Sequence, residues 1–182
     1  MARISYLDLN SAPEKSKANL QALQQKLGTL PNIFKALANS PAALQSYVAL
    51  TGAISESTLS PATREAIALA VAESNGCEYC LAAHSLIGSK AGLQPDDLLA
   101  ARQFNAKDTK TAAVLKLSKQ LLQNRGQVTE ADLQSAKSAG ITDGELADIC
   151  AIIALNIFTN YFNNMSKMDV DFPKVPLMAK AA

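Results

Sequence analysis

Tryptophan is absent from this chain of 182 residues, and histidine occurs once, at position 84. Aromatic residues make up only 5% of the chain, and no aromatic or glycine pattern suggests base stacking. An excess of either charge is also missing. Seventeen Lys and Arg nearly balance sixteen Asp and Glu, leaving a net charge of +1, which argues against nucleic acid or an anionic membrane surface as partner. Three cysteines in a chain expected in the reducing cytoplasm are not expected to form a structural disulfide framework. Long apolar runs are lacking too: those around Ile67–Ala72 and Ile149–Leu155 fall far short of the roughly 20 residues of a membrane span. The first ten residues carry one arginine but no apolar stretch of signal-peptide length. The expectation is a cytoplasmic protein with no membrane and no nucleic-acid partner.

What is present favours helix. Apolar residues at 48% and charged residues at 18% are ordinary for a globular protein, and abundant alanine and leucine favour helix over strand. The length suits one domain, residues 1–182, with a good core. Residues 1–12 read as an extended arm in which Ile4, Tyr6, Leu7 and Leu9 recur. From Pro13 a helical pattern runs through Leu20, Leu23 and Leu27 to a stop at Gly28. Short helices are expected from Pro31 and from Pro95. Ser40-Pro41 and Ser60-Pro61 each pair a cap with a proline at the first helical position. Longer helices are expected over 107–124, with Leu121 and Leu122 in the core, and over 145–165. Thr142 and Glu145 have the form of a capping box. Phe158, Tyr161 and Phe162 on that last helix suit the core, a subunit interface, or both. The tail, 169–182, should be extended because Pro173 and Pro176 forbid helix. The fold class predicted is all-α, a compact multi-helix bundle with short loops.

The chemistry concentrates in Cys77-Glu-Tyr-Cys80-Leu-Ala-Ala-His84. On one helix, Cys80 and His84 lie about 60° and about 20° around the axis from Cys77, so two thiols and an imidazole share a face. Cys77, read as part of the first turn, faces unpaired N–H groups and the positive end of the macrodipole. His84 stacks one turn after Cys80. Both effects favour thiolate, the nucleophilic form. Cys80 is therefore the expected attacking sulfur and Cys77 the resolving one. A disulfide between them closes so small a loop that chain entropy contributes only about 2 kcal/mol, a poor staple but an easily cycled bond. Zinc is the competing reading, yet Cys77, Cys80 and His84 supply three ligands where structural zinc wants four. Cys150 lies in an apolar stretch where cysteine is usually core. Two buried cysteines without function is the bland alternative, and it leaves the histidine unexplained.

A relay histidine needs its other nitrogen oriented. On one continuous helix Glu65 would lie about 18 Å from Cys77. Ser74-Asn75-Gly76 can instead fold the chain into an antiparallel helix pair, setting position 65 level with position 85. Glu65 thus becomes the candidate partner of His84. Glu73 and Glu78 are expected to be solvated, and Tyr79 to pack or to donate a hydrogen bond near the site.

Glu65, Cys77, Cys80 and His84 resemble the signature of the alkyl hydroperoxidase D-like branch of the carboxymuconolactone decarboxylase family: a glutamate twelve residues before Cys-x-x-Cys, then a histidine four after the second cysteine. Arg64-Glu-Ala-Ile-Ala-Leu-Ala-Val is similar in kind. Asn156-Ile-Phe-Thr-Asn-Tyr-Phe-Asn and Asp171-Phe-Pro resemble the peroxidase-related members. The resemblance implies an all-α fold, Cys80 as peroxidatic cysteine, Cys77 as resolving cysteine, and Glu65 with His84 as a proton relay. It implies no metal or organic cofactor, assembly as a homo-oligomer (a trimer or a larger ring such as a hexamer), and a dithiol reductant or adaptor protein, dihydrolipoamide-bearing for the founding members. One position departs from the founding pattern: Glu78-Tyr79 stand where it has a histidine between the cysteines. The decarboxylase members lack the cysteine pair, so its presence argues against that reaction here. The expected function is a thiol-dependent peroxidase acting on hydrogen peroxide or alkyl hydroperoxides. The alternatives are a disulfide-exchange or redox-sensing module without peroxidase turnover, and a non-redox helical domain holding zinc.

Overall fold

The computed structural model describes residues 2–179; Met1 of the expected arm and residues 180–182 of the expected tail lie outside them. The described residues form nine helices and no strand, in agreement with the all-α expectation: α1 (Glu14–Leu27), α2 (Asn32–Leu37), α3 (Pro41–Ile54), α4 (Pro61–Ser74), α5 (Glu78–Lys90), α6 (Pro95–Arg102), α7 (Thr109–Gln123), α8 (Glu130–Ser138) and α9 (Asp143–Ser166).

The helix starts follow the caps written in the sequence. Ser40 Oγ accepts from Ala43 N, and Ser60 Oγ from Thr63 N, each ahead of a proline at the first helical position. Thr142 and Glu145 form a reciprocal capping box at α9. α7 begins two residues later than expected because Asp108 accepts from Thr111 N at 2.8 Å and caps it there. Gly28 ends α1 at φ +73°, a left-handed conformation that glycine adopts without a Cβ penalty.

α4 is the centre of the bundle. Residues 66–72 are buried without interruption, so this helix is apolar on every side and packs against α5, α6, α7 and α9 together. α9 is long and apolar enough to cross a membrane by length and composition. Here it is a core helix lying against α3, α4, α5 and α7, with Ile149, Ile152 and Ile153 buried beside Asn156, Asn160 and Asn163. Around this centre, α1 and α2 pack on α3, and α8 packs on α7.

Two expected core positions, Leu121 and Leu122 on α7, are only half-buried. Cys150 is exposed on α9, contrary to the core position expected of it. The apolar residues around it made that stretch look buried all round, whereas α9 turns one side outward. Tyr161 (61% exposed) and Met165 (57%) share that outward character, while Phe158 and Phe162 are half-buried.

The two extended termini are tied to each other. Arg3 N donates to Ser166 O at 2.7 Å, and the Tyr6 hydroxyl meets both the carboxylate and the backbone N–H of Asp169. Ile4, Tyr6, Leu7 and Leu9 pack on the core, with no strand pairing.

Glu145 is the most deeply buried of the paired carboxylates, its side chain 5% exposed and 2.7 Å from Lys110 Nζ. The lysine first, and the Thr142 N–H second, hold its carboxyl below the ordinary value of 4.5. A depressed folded pKa contributes stability that is complete above the unfolded value and lost as pH falls through the folded one. Glu145→Gln should therefore flatten the stability loss below about pH 4, read as urea midpoints on either side of that pH. Equal acid losses in the variant and the parent would show that the pair contributes nothing.

Candidate active site

The site is built on the turn between α4 and α5. Asn75 ends α4, Gly76 takes φ +61°, and Cys77 N donates back to Ala72 O at 2.9 Å. The positive φ lets the chain reverse in so few residues, and a side chain at position 76 would strain it. The reversal makes α4 and α5 antiparallel neighbours, the most extensively packed helix pair among the described residues. A Cβ built on Gly88 would lie 3.6 Å from Glu65 Cβ, so α5 passes over the first half of α4.

Cys77 is the N-cap of α5, in extended conformation at φ −93° and ψ 91°. That differs from the expected place in the first turn. The helix starts one residue later because the Cys77 sulfur itself accepts the Cys80 N–H, at 3.3 Å, as a serine cap would. Both sulfurs still sit at the positive end of α5, and they lie at disulfide distance, with Cα atoms 5.3 Å apart. Cys77 is fully buried and Cys80 is 3% exposed. One turn further on, His84 Nδ1 lies 2.8 Å from Glu65 Oε2, with side chains 22% and 18% exposed. The turn thus joins Glu65 to His84 across nineteen positions of sequence. Holding Nδ1 on the carboxylate leaves Nε2 as the nitrogen free for proton transfer.

The other residues singled out divide. Glu78 is exposed. Tyr79 turns away from the sulfurs: its hydroxyl accepts the Ile33 N–H at 3.2 Å, and its ring meets Phe172 edge-on at 5.5 Å. Burial, with the Asp171 charge adding to it, pushes that phenol well above its ordinary range. Glu73 is not solvated. Its carboxylate accepts from Arg102 Nε and from Met178 N, both at 2.8 Å. Among the described residues no three or more His, Cys, Asp or Glu gather as a metal set. A cavity of about 630 Å³ opens between α4, α6 and α7, lined by Thr63, Thr111 and Lys110 among others, and none of the four candidate residues lines it.

Sequence reasoning missed the amides of α9. Asn163 Nδ2 donates to the Cys80 sulfur at 3.1 Å. Asn160 Oδ1 accepts from Asn75 Nδ2 at 3.0 Å, and Asn164 Nδ2 donates to Asn75 O at 2.9 Å. Positions 160, 163 and 164 share a helix face, which clasps the turn on one side and Cys80 on the other. Their signal was legible: four asparagines, at 156, 160, 163 and 164, recur at helical spacing on one helix. Asn163 Oδ1 is buried and has no partner among the described groups. An open buried acceptor costs on the order of 1–3 kcal/mol.

Residues 41–123 match the carboxymuconolactone decarboxylase family. The fold is similar to the crystal structure of an alkylhydroperoxidase AhpD core, an uncharacterized peroxidase-related protein from Ralstonia eutropha JMP134, with a TM-score of 0.85 and 26% identity over 93% of this chain and 92% of that one. It is similar to an uncharacterized peroxidase-related protein from Silicibacter sp. TM1040, with a TM-score of 0.81 and 25% identity over 92% and 91%. The debrominase Bmp8 shares the fold alone, with a TM-score of 0.76 and 20% identity over 92% and 91%. A comparison with curated proteins finds no match to the chain.

Proposed function

We propose that the chain, whose residues 41–123 match the carboxymuconolactone decarboxylase family and whose fold is similar to an alkylhydroperoxidase AhpD core, is an alkylhydroperoxidase D-like thiol-dependent peroxidase. The observation that carries the reading is a buried Cys77–Cys80 pair whose second cysteine stands one turn before a histidine held by Glu65. His84 takes the Cys80 proton. The thiolate attacks one oxygen of a hydroperoxide, the S–O bond forms as the O–O bond breaks, and the leaving alkoxide recovers the proton from His84 as an alcohol (or water, from hydrogen peroxide). The Cys77 thiol then condenses with the sulfenic acid, expelling water and forming the disulfide. An external dithiol, free or carried on an adaptor protein, reduces that bond by exchange and leaves as its own disulfide. No metal or organic cofactor enters these steps.

The same reading has the chain as one domain working as a homo-oligomer in the reducing cytoplasm. Exposed Tyr161 and Met165, and an apolar α3 in which only Leu44 is fully buried, support an assembly.

Hydroperoxide consumption under saturating dithiol tests the proposal. Catalytic turnover supports it, whereas a reversible disulfide with no turnover selects the exchange or sensing module. Glu65→Gln keeps the shape of the dyad but loses the charge that orients and stabilises a protonated His84. It should lower kcat/KM by about tenfold or more, up to the roughly 100- to 10,000-fold that general acid–base catalysis supplies. An unchanged kcat/KM would remove Glu65 from the relay.

A further inference from the structure

We propose that Asn163 is a catalytic residue of this site: its Nδ2 holds the Cys80 sulfur as thiolate, and its Oδ1 receives the O–H of the incoming hydroperoxide. This deepens the peroxidase reading and rests on it. Three observations carry the proposal. The amide touches the sulfur directly, at 3.1 Å, and a thiolate accepts such a bond far better than a thiol or disulfide does. The contact is built in, because Asn160 and Asn164 on the same face fasten Asn75 and fix where α9 stands relative to the α4–α5 turn. And no other described polar group explains the amide's orientation, since Oδ1 is buried without a partner.

That open oxygen is bonded to the same carbon as the nitrogen on the sulfur, so it lies beside the reacting atom. A hydroperoxide approaching Cys80 brings the donor that Oδ1 lacks. The O–H placed there belongs to the oxygen that sulfur attacks, and it becomes the hydroxyl of the sulfenic acid. His84 serves the other oxygen, the one that leaves. Asn163 thus orients the substrate and stabilises the nucleophile with one planar group, without exchanging a proton itself.

The test uses a Cys77→Ser, Cys150→Ser background, in which Cys80 is the remaining thiol. Thiolate absorbance is followed across a pH titration of the reduced protein. Asn163→Ala should weaken the acidity of Cys80 by about tenfold, the scale of a lost hydrogen bond to a charge. With both cysteines restored, the disulfide should become correspondingly harder to reduce, by about 30 mV for that tenfold change. Asn163→Asp, equal in size, should raise the Cys80 midpoint further by setting a carboxylate beside the sulfur; it also serves if the alanine variant does not fold. An unchanged midpoint in a folded variant overturns the thiolate role. The rate constant with hydroperoxide, divided by the thiolate fraction, should still fall in Asn163→Ala. If the corrected rate equals the parent's, the role of Oδ1 is overturned. Failure of the peroxidase reading looks different: the parent shows no turnover, while the titration reports on the amide all the same.

Discussion

Hydroperoxide turnover is expected to vanish when Cys80 is replaced by serine. A serine hydroxyl stays protonated at neutral pH, so neither His84 nor the N-terminus of α5 can turn it into a usable nucleophile. Cys77 is not positioned to take over. It caps the helix in extended conformation and accepts the Cys80 N–H, it is fully buried, and among the described bonds the α9 amide reaches only the Cys80 sulfur. The variant should consume peroxide no faster than the dithiol alone does. Cys77→Ser should behave differently: one equivalent of peroxide is reduced rapidly, and the sulfenic acid persists and reacts with a sulfenate-specific nucleophile. Undiminished turnover in Cys80→Ser, or a fast stoichiometric reaction in that variant and none in Cys77→Ser, would reverse or sink the assignment of the two sulfurs.

The contrast between the cysteines shows which part of the site sequence could supply. Spacing placed Cys80 one turn before His84, and the Ser74-Asn75-Gly76 break suggested the reversal that brings Glu65 to the imidazole; both rest on local helix geometry, which short-range residue chemistry determines well. The caps at Ser40, Ser60 and Thr142 were legible for the same reason. Cys77 was misread by one residue, because a sulfur acting as its own helix's cap looks like a first-turn residue. The errors at longer range have a common cause. Whether Cys150 is buried, or Glu73 solvated, depends on which side of a helix meets which neighbour, and no local pattern carries that. Asn163 falls between the two cases: its spacing with Asn160 and Asn164 was visible, but its target lies 83 residues away.

Arg102→Ala is expected to be the most destabilising of the substitutions considered, by about 3–5 kcal/mol, because it leaves a buried carboxylate unpaired. Glu73 and Arg102 have side chains only 12% and 10% exposed, with Nε and Oε2 2.8 Å apart. The pair also gathers the tail. Arg102 Nη2 donates to Pro176 O at 2.7 Å, and Glu73 Oε1 accepts from Met178 N. Between those anchors Leu177 reaches the turn, its Cδ1 4.0 Å from where a Cβ on Gly76 would stand, one residue before Cys77. Losing the guanidinium therefore does two things: it strands a charge in the last turn of α4, and it frees the strap lying on the turn that carries the sulfurs. In a two-state urea unfolding the midpoint should drop with an unchanged m-value, and Tm should fall by roughly 10 °C for a domain of this size. Reduced Cys77 should also become easier to alkylate, since the tail beside its turn is loosened. The double variant Glu73→Met, Arg102→Met removes both charges and should recover most of the lost stability, as replaced buried pairs often do, without restoring the two backbone bonds to the tail. Ordinary surface behaviour, with a loss below about 1 kcal/mol in Arg102→Ala, would mean that the pair does not hold the strap and that Cys77 owes its burial to α4, α5 and α9 alone.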